Sequence, residues 1–229
     1  MLLYYITDRS QFPGGESARR RALLDKITAA AQAGVDYIQL REKDLSTREL
    51  QLLAVEAVAL IREQQRGANS KQRTATCLLI NSRSDIALAA CAGGVHLRSD
   101  DISASTVRCI WKEALTSDSR LEANSPVIAV SCHSPSEVSQ AEKEGADFAV
   151  FAPVFEKKTA PLTRPQGLTA LGEACKATIP VLALGGITLQ NASSCIEAGA
   201  AGVAGIRLFQ ENRIAEVVRS LRALTMRQI

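Results

Sequence analysis

One phrase recurs four times along this chain: a run of helical periodicity, a glycine, then a short apolar strand pattern. The copies are Ala33-Gly34 before Tyr37 to Leu40, Ala92-Gly93 before Gly94 to Leu97, Glu144-Gly145 before Phe148 to Phe151, and Ala198-Gly199 before Gly202 to Ile206. In each copy the glycine reads as the helix stop. The glycines fall at 34, 93, 145 and 199, so successive copies lie 59, 52 and 54 residues apart. That is roughly twice the ~30 residues of one strand-helix unit, so each interval must hold a second strand. Cys77 to Ile80, Val127 to Val130 and Val181 to Leu184 supply those strands, and Leu2 to Ile6 supplies one at the start. All eight are short and almost wholly apolar, as parallel strands covered on both faces require. Eight such units in series predict a single (β/α)8 TIM barrel, one α/β domain over residues 1–229.

Helix starts are marked by side chains. The first helix begins at about Ser17, with Ala22, Leu23, Ile27, Ala30 and Ala31 at helical spacing. Ser46-Thr47-Arg48-Glu49 is a capping box that opens a helix burying Leu50, Leu53, Ala54, Ala57 and Ile61. Ser134-Pro135-Ser136-Glu137 is a second such start, with proline at the first helical position. Trp111, the single tryptophan, is assigned to packing.

Composition bounds the class. The chain is 46% hydrophobic and 22% charged, which suits one full core, and its net charge of +3 comes from 27 basic against 24 acidic residues without a basic block. This argues against nucleic-acid and lipid-surface partners. The apolar Met1 to Ile6 is cut at Asp8-Arg9, too short for a signal-peptide core, and no apolar run could cross a bilayer, so the chain is expected to be soluble and cytoplasmic. Cys77, Cys91, Cys109, Cys132, Cys175 and Cys195 contain no Cys-x-x-Cys pair and read as reduced thiols, with Cys132 alone near a candidate site. Whether the protein is a homo-oligomer is left open.

In a barrel, function concentrates where strands end and helices begin. The junctions offer Thr7-Asp8-Arg9, then Gln39, Arg41 and Lys43, then Asn81-Ser82-Arg83, Arg98-Ser99-Asp100-Asp101, Ser131-Cys132-His133, Pro153 to Pro165, Gly185-Gly186-Ile187-Thr188, and Arg207. Gln39, Arg41 and Lys43 recur at a spacing of two, which in extended chain puts their donors on one face. Such a fork suits a phosphate or pyrophosphate. The alternative is a solvated strand end whose Glu42 and Asp44 neutralise the cations. Gly185-Gly186, running into a helix at Ile187-Thr188, has the form of a phosphate seat of bare N–H groups, with a tight turn as the alternative. The loop from Glu156 to Pro165, with Lys157, Lys158 and Arg164, has the form of a lid closing on phosphates, or of a plain surface loop.

Taken as a set, these junctions resemble the thiamine phosphate synthase family, including its thiazole tautomerase branch. The resemblance spans nearly the whole chain. It is carried by Tyr4-Ile6-Thr7-Asp8, Ile38-Gln39-Leu40-Arg41-Glu42-Lys43, Ile80-Asn81, Gly94-Val95-His96-Leu97 with Asp101, Val130-Ser131-Cys132-His133, Gly145-Ala146-Asp147 to Pro153-Val154-Phe155, and Leu184-Gly185-Gly186-Ile187-Thr188. The resemblance implies joining of a hydroxymethylpyrimidine pyrophosphate to a thiazole phosphate, with Mg²⁺ and release of pyrophosphate. It further implies that Gln39, Arg41, Lys43, Asn81 and Ser131 hold the pyrimidine substrate, that Lys158 and Thr159 belong to the lid, that Gly185 and Gly186 hold the thiazole phosphate near Arg207, and that Asp101 binds Mg²⁺. Arg41, Lys43, Ser131 and His133 are the residues implied to act in catalysis.

The chain also departs from the family pattern. Ser82 stands where an Asp usually follows the Asn, Arg98-Ser99 replaces a Gly-Gln, and Lys157-Lys158-Thr159-Ala160 replaces the lid's Thr-x-Thr-Lys. Arg207 lies where small residues usually meet the thiazole phosphate. Losing a carboxylate and gaining Arg98 makes the site about two charges more positive. Two other functions stay open: a thiazole tautomerase with His133 as general acid and base, and a non-catalytic binder of phosphorylated ligands.

Overall fold

The computed structural model describes residues 1–66, 75–117, 125–156 and 164–226. The strands are β1 (Leu2–Ile6), β2 (Tyr37–Leu40), β3 (Cys77–Asn81), β4 (Gly94–Leu97), β5 (Val127–Cys132), β6 (Phe148–Phe151), β7 (Val181–Ala183) and β8 (Gly202–Gly205). They pair in chain order as a closed barrel, and every pairing is parallel. The expected eight-strand order is therefore present. Between and after the strands run α1 (Glu16–Ala33), α2 (Thr47–Arg66), α3 (Ser84–Ala89), α4 (Ala104–Ser117), α5 (Pro135–Lys143), α6 (Gly167–Ala174), α7 (Ala192–Glu197), α8 (Arg207–Gln210) and α9 (Ile214–Met226).

Alternation along each strand sorts the apolar side chains into two shells. Leu3, Tyr5, Ile38, Leu78, Ile80, Val95 and Val203 join Leu23, Leu53, Ile61 and Leu221 of the helices, so this shell lies between sheet and helices. Tyr4, Ile6, Leu79, Ala129, Phe148, Val150, Leu182 and Ala204 form a separate cluster that fills the barrel interior. Aromatic rings plug it. Tyr4 meets Tyr37 edge-on at 5.9 Å and Phe148 at 5.6 Å, and Tyr37 lies 4.7 Å from Phe148. Each fully buried large apolar side chain contributes about 1.5–3 kcal/mol.

The helix starts agree with the sequence signals. Glu49 N–H donates to Ser46 Oγ at 3.3 Å and the Glu49 carboxylate accepts from Ser46 N–H at 2.9 Å. Ser134 Oγ accepts from Glu137 N–H at 3.2 Å, but the Glu137 carboxylate accepts from His133 N–H rather than from the cap residue. Trp111 is buried, as packing requires.

The glycine stop operates in three of the four repeats. Gly34, Gly145 and Gly199 have φ of 81°, 83° and 101°. At the remaining copy the left-handed residue is Cys91, with φ 51°. Gly93 is needed for space instead, since a Cβ there would stand 2.3 Å from Cys77 Sγ.

Candidate active site

A cavity of about 1170 Å³ opens at the C-terminal ends of the strands. Its lining follows from the two-residue alternation that fills the barrel. The interior positions Tyr37, Leu79, Ala129 and Val150 are followed, two residues on, by Gln39, Asn81, Ser131 and Ala152, all of which line the cavity. Arg41, Arg98 and His133 continue the same alternation just past their strands and line it too. Lys43, on the loop after β2, reaches the same space. The row Gln39, Arg41, Lys43 thus faces one cavity although β2 ends at Leu40.

Glu42 and Asp44 do not neutralise that row. Arg9, almost fully buried, takes both: its Nη1 lies 2.6 Å from Asp44 Oδ1 and 3.3 Å from Glu42 Oε2, and its Nε donates to Glu16 at 2.7 Å. Glu42 is itself buried, accepting from Thr7 Oγ1 at 2.6 Å and from Arg9 N–H at 2.9 Å. Burial pushes its carboxyl upward, against the pull of Thr7 and Arg9. Arg9 holds Asp44 below its usual range. Among the described residues no carboxylate pairs with Arg41 or Lys43, so the reading of a neutralised strand end is overturned.

The floor is polar and braced. His96 on β4 touches Tyr4 OH through Nδ1 at 2.9 Å and Ser131 Oγ through Nε2 at 2.7 Å. Burial, with Arg41 adding to it, pushes His96 down to about 3, so the ring is neutral and one nitrogen donates while the other accepts. Ser131 is therefore held from below while it lines the cavity. From sequence, Arg9 and His96 had been given no role of their own and Glu42 only that of neutralising the cations; His96 carried a signal, standing two residues before Arg98 on the same alternation.

A chain of hydrogen bonds crosses the front of the site. Gln39 Nε2 donates to Asn81 Oδ1 at 2.8 Å, Asn81 Nδ2 to Ser82 Oγ at 3.2 Å, and Ser82 Oγ to Asp101 Oδ2 at 2.6 Å. Arg98 completes it, donating its main-chain N–H to Asp101 Oδ2 at 2.7 Å and its guanidinium to Oδ1 at 3.3 and 3.4 Å. Ser82 adopts the left-handed region, with φ 58°. Asp100, which lines the cavity, and Asp101 are the carboxylates on this side that would hold Mg²⁺; both contact the Arg98 guanidinium, and Ser82 stands in place of a further carboxylate.

Gly185, Gly186 and Arg207 line the opposite side of the cavity. The helix expected at Ile187-Thr188 begins only at Ala192; the intervening turn is tied by Thr188 N–H to Asn191 Oδ1 at 2.8 Å and by Asn191 Nδ2 to Gly186 O at 3.0 Å. Gly186 has a packing reason to be glycine, because a Cβ would lie 2.5 Å from the Glu156 carbonyl. Strand β8 stops at Gly205, so Arg207 opens α8 rather than following the strand directly. His133 Nδ1–H donates to Ala152 O at 2.7 Å, which leaves Nε2 at the cavity wall. Cys132 is excluded from the site: its side chain is fully buried and its thiol is pushed up to about 12 by burial. Lys157, Lys158 and Thr159 lie outside the described residues.

Fold and site together define an enzyme-type (β/α)8 barrel whose polar and cationic side chains gather at the C-terminal ends of the strands. The chain matches the thiamine monophosphate synthase family over residues 3–209, and it belongs to that family. It is 40% identical over 210 residues to a putative thiamine-phosphate synthase 2 of Aquifex aeolicus, covering 91% of this chain and 97% of that one. It is 35% identical over 207 residues to the thiamine-phosphate synthase of Roseiflexus castenholzii, covering 90% and 79%. The structure of a thiamine phosphate pyrophosphorylase from Pyrococcus furiosus superimposes with a TM-score of 0.75 at 27% identity, covering 99% and 96%. Among the described residues no helix is long and apolar enough to cross a membrane.

Proposed function

We propose that this protein is a thiamine-phosphate synthase, joining hydroxymethylpyrimidine pyrophosphate to a thiazole phosphate. The methylene C–O bond breaks with its electron pair leaving on pyrophosphate, and the thiazole nitrogen lone pair forms the new C–N bond. The observation that carries this reading is the pair of cations, Arg41 and Lys43, that enters the cavity without a carboxylate partner among the described residues. A departing pyrophosphate gathers charge as the bond breaks, and fixed donors aimed at it lower the barrier. Gln39, Asn81 and the His96-braced Ser131 offer directional hydrogen bonds for the pyrimidine end, and Gly185, Gly186 and Arg207 face it from the far side, where the thiazole phosphate would lie. Family membership and the synthases at 35–40% identity support the same assignment.

One observation supports a second activity at the same site. The His133 ring, held by Nδ1 on Ala152 O, turns Nε2 toward the cavity, which suits moving a proton on a thiazole. Incubation of the purified protein with both substrates, followed by chromatography for thiamine phosphate and pyrophosphate, tests the synthase reading. Exchange of a thiazole ring proton without condensation would assign the tautomerase instead.

A further inference from the structure

We infer that Tyr4 is a positioning residue: by donating to His96 it fixes which imidazole nitrogen carries the proton, so that Ser131 offers its hydroxyl proton to an acceptor on the pyrimidine substrate. This deepens the synthase reading above and rests on it. The relay starts inside the barrel. Tyr4 on β1 is wholly buried, its ring held edge-on by Tyr37 and Phe148, and its hydroxyl meets His96 Nδ1 on β4 at 2.9 Å. Burial raises the phenol well above its ordinary value, so it keeps its proton. Among the described residues His96 is the hydroxyl's one hydrogen-bond partner. If Nδ1 carried the ring proton, the phenol would accept it and its own O–H would stay unpaired in the barrel core, which buried polar groups avoid. Tyr4 therefore donates, and Nδ1 accepts.

The direction then propagates to the cavity. His96 is buried and neutral, so its single ring proton sits on Nε2, 2.7 Å from Ser131 Oγ. Ser131 accepts through a lone pair, and its own proton is left for the cavity that it lines. With the other tautomer Nε2 would take the Ser131 proton, and the cavity would meet only oxygen lone pairs at this wall. Arg41 and Lys43 face the same space as donors, so the fixed tautomer gives Ser131 the polarity that they have. His133 supplies the contrast: its Nδ1 carries a proton, donated to Ala152 O, whereas Nδ1 of His96 carries none.

Long-range ¹H–¹⁵N spectra of the native protein near neutral pH read the tautomer directly, and because the chain has two histidines, a His133→Gln protein assigns the signals. The expected result is His96 protonated on Nε2 alone. A proton on Nδ1 overturns the inference and leaves the synthase reading in place. Tyr4→Phe keeps the ring that packs on Tyr37 and Phe148 but removes the donor; either tautomer then leaves Nδ1 unpartnered, and Nε2 is free to take the Ser131 proton. In Tyr4→Phe protein with native far-ultraviolet dichroism, kcat/KM for the pyrimidine substrate should fall about tenfold while KM for the thiazole phosphate stays near native. The same substitution in Ser131→Ala protein should cost less than about twofold, because Tyr4 acts through the hydroxyl that is gone. Equal losses in the two backgrounds, or no loss in either, overturn the inference and assign Tyr4 to packing; if Tyr4→Phe does not fold, the spectra of the native protein decide. Native protein that forms no thiamine phosphate removes the synthase reading, and with it the substrate role of Ser131, whichever nitrogen is protonated.

Discussion

Arg9 and Glu42 meet twice, through the main-chain N–H of Arg9 at 2.9 Å and its Nη1 at 3.3 Å, both on the same Glu42 oxygen. This contact ties up the acid of the Arg41-Glu42-Lys43 sequence and leaves its two cations without a carboxylate partner among the described residues. Neighbours in sequence therefore play opposite parts: Arg41 and Lys43 address the cavity, while Glu42 anchors the loop after β2 to the first strand's loop.

Removing Arg9 should expose how much of the site depends on that anchor. Arg9→Gln leaves Glu42 buried with its charge uncompensated, and we expect a loss of about 3–5 kcal/mol in urea unfolding. The contacts to Asp44 and Glu16, whose side chains are exposed, contribute little of this. A loss under about 1 kcal/mol would show that Thr7 and the main-chain N–H of residue 9 suffice to hold Glu42.

Arg41 makes a sharper test of the chemistry. If it stabilises the departing pyrophosphate, Arg41→Ala should lower the rate by on the order of 10²–10³ while the unfolding midpoint stays near that of the native protein. Steady-state turnover close to normal would take Arg41 out of the mechanism.

His96 should give the fold an acid-sensitive component. Its folded value, about 3, lies below the ordinary 6.5, so the stability due to the neutral ring is fully present above about pH 6.5 and declines as pH falls toward 3. In that window the unfolded chain binds a proton that the folded chain refuses. The slope approaches about 1.4 kcal/mol per pH unit for one such proton. Urea titrations from about pH 7 to about pH 4 should show this slope in the native protein and a flatter one in His96→Gln. Identical slopes in the two would mean that His96 takes up a proton without cost.

Gly186 illustrates a prediction that changes once packing is known. From the motif, a side chain there would block a phosphate; in the barrel it would first strike the Glu156 carbonyl and Phe155 Cβ, at 2.5 and 2.8 Å. Its φ of 66° adds backbone strain for any other residue. Gly186→Ala is therefore expected to cost about 1–3 kcal/mol in stability before any ligand is added, measured by thermal or urea unfolding. An unchanged midpoint would return this glycine to the role of phosphate seat alone.

The barrel was legible because its causes are local and periodic. A parallel strand covered on both faces must be apolar throughout, and eight such segments separated by helical stretches leave one closed solution. The same two-residue period that fills the interior with Tyr4, Leu79 and Phe148 runs on into Gln39, Asn81, Ser131 and Arg41, which is why the polar cavity residues could be named in advance. Where an element ends is a weaker signal. Helix α7 begins at Ala192 rather than at Ile187 because Asn191 captures Thr188 N–H and Gly186 O in a turn of its own.

What only the tertiary structure decided is which charges find partners. From sequence, Glu42 and Asp44 lie beside Arg41 and Lys43 and could cancel them; Arg9, some 33 residues away from Glu42, claims both acids instead. Asp101 had the residue type of a metal ligand; the fold also sets it against Ser82 and Arg98, with Asp100 on the same guanidinium. His96, unremarkable in a run of apolar residues, becomes the brace between Tyr4 and Ser131, 92 and 35 residues distant. Periodicity is a property of neighbouring residues and survives in the sequence. Pairing of charges is set by angstrom-scale distances between segments far apart in the chain, and these exist only once the barrel has closed.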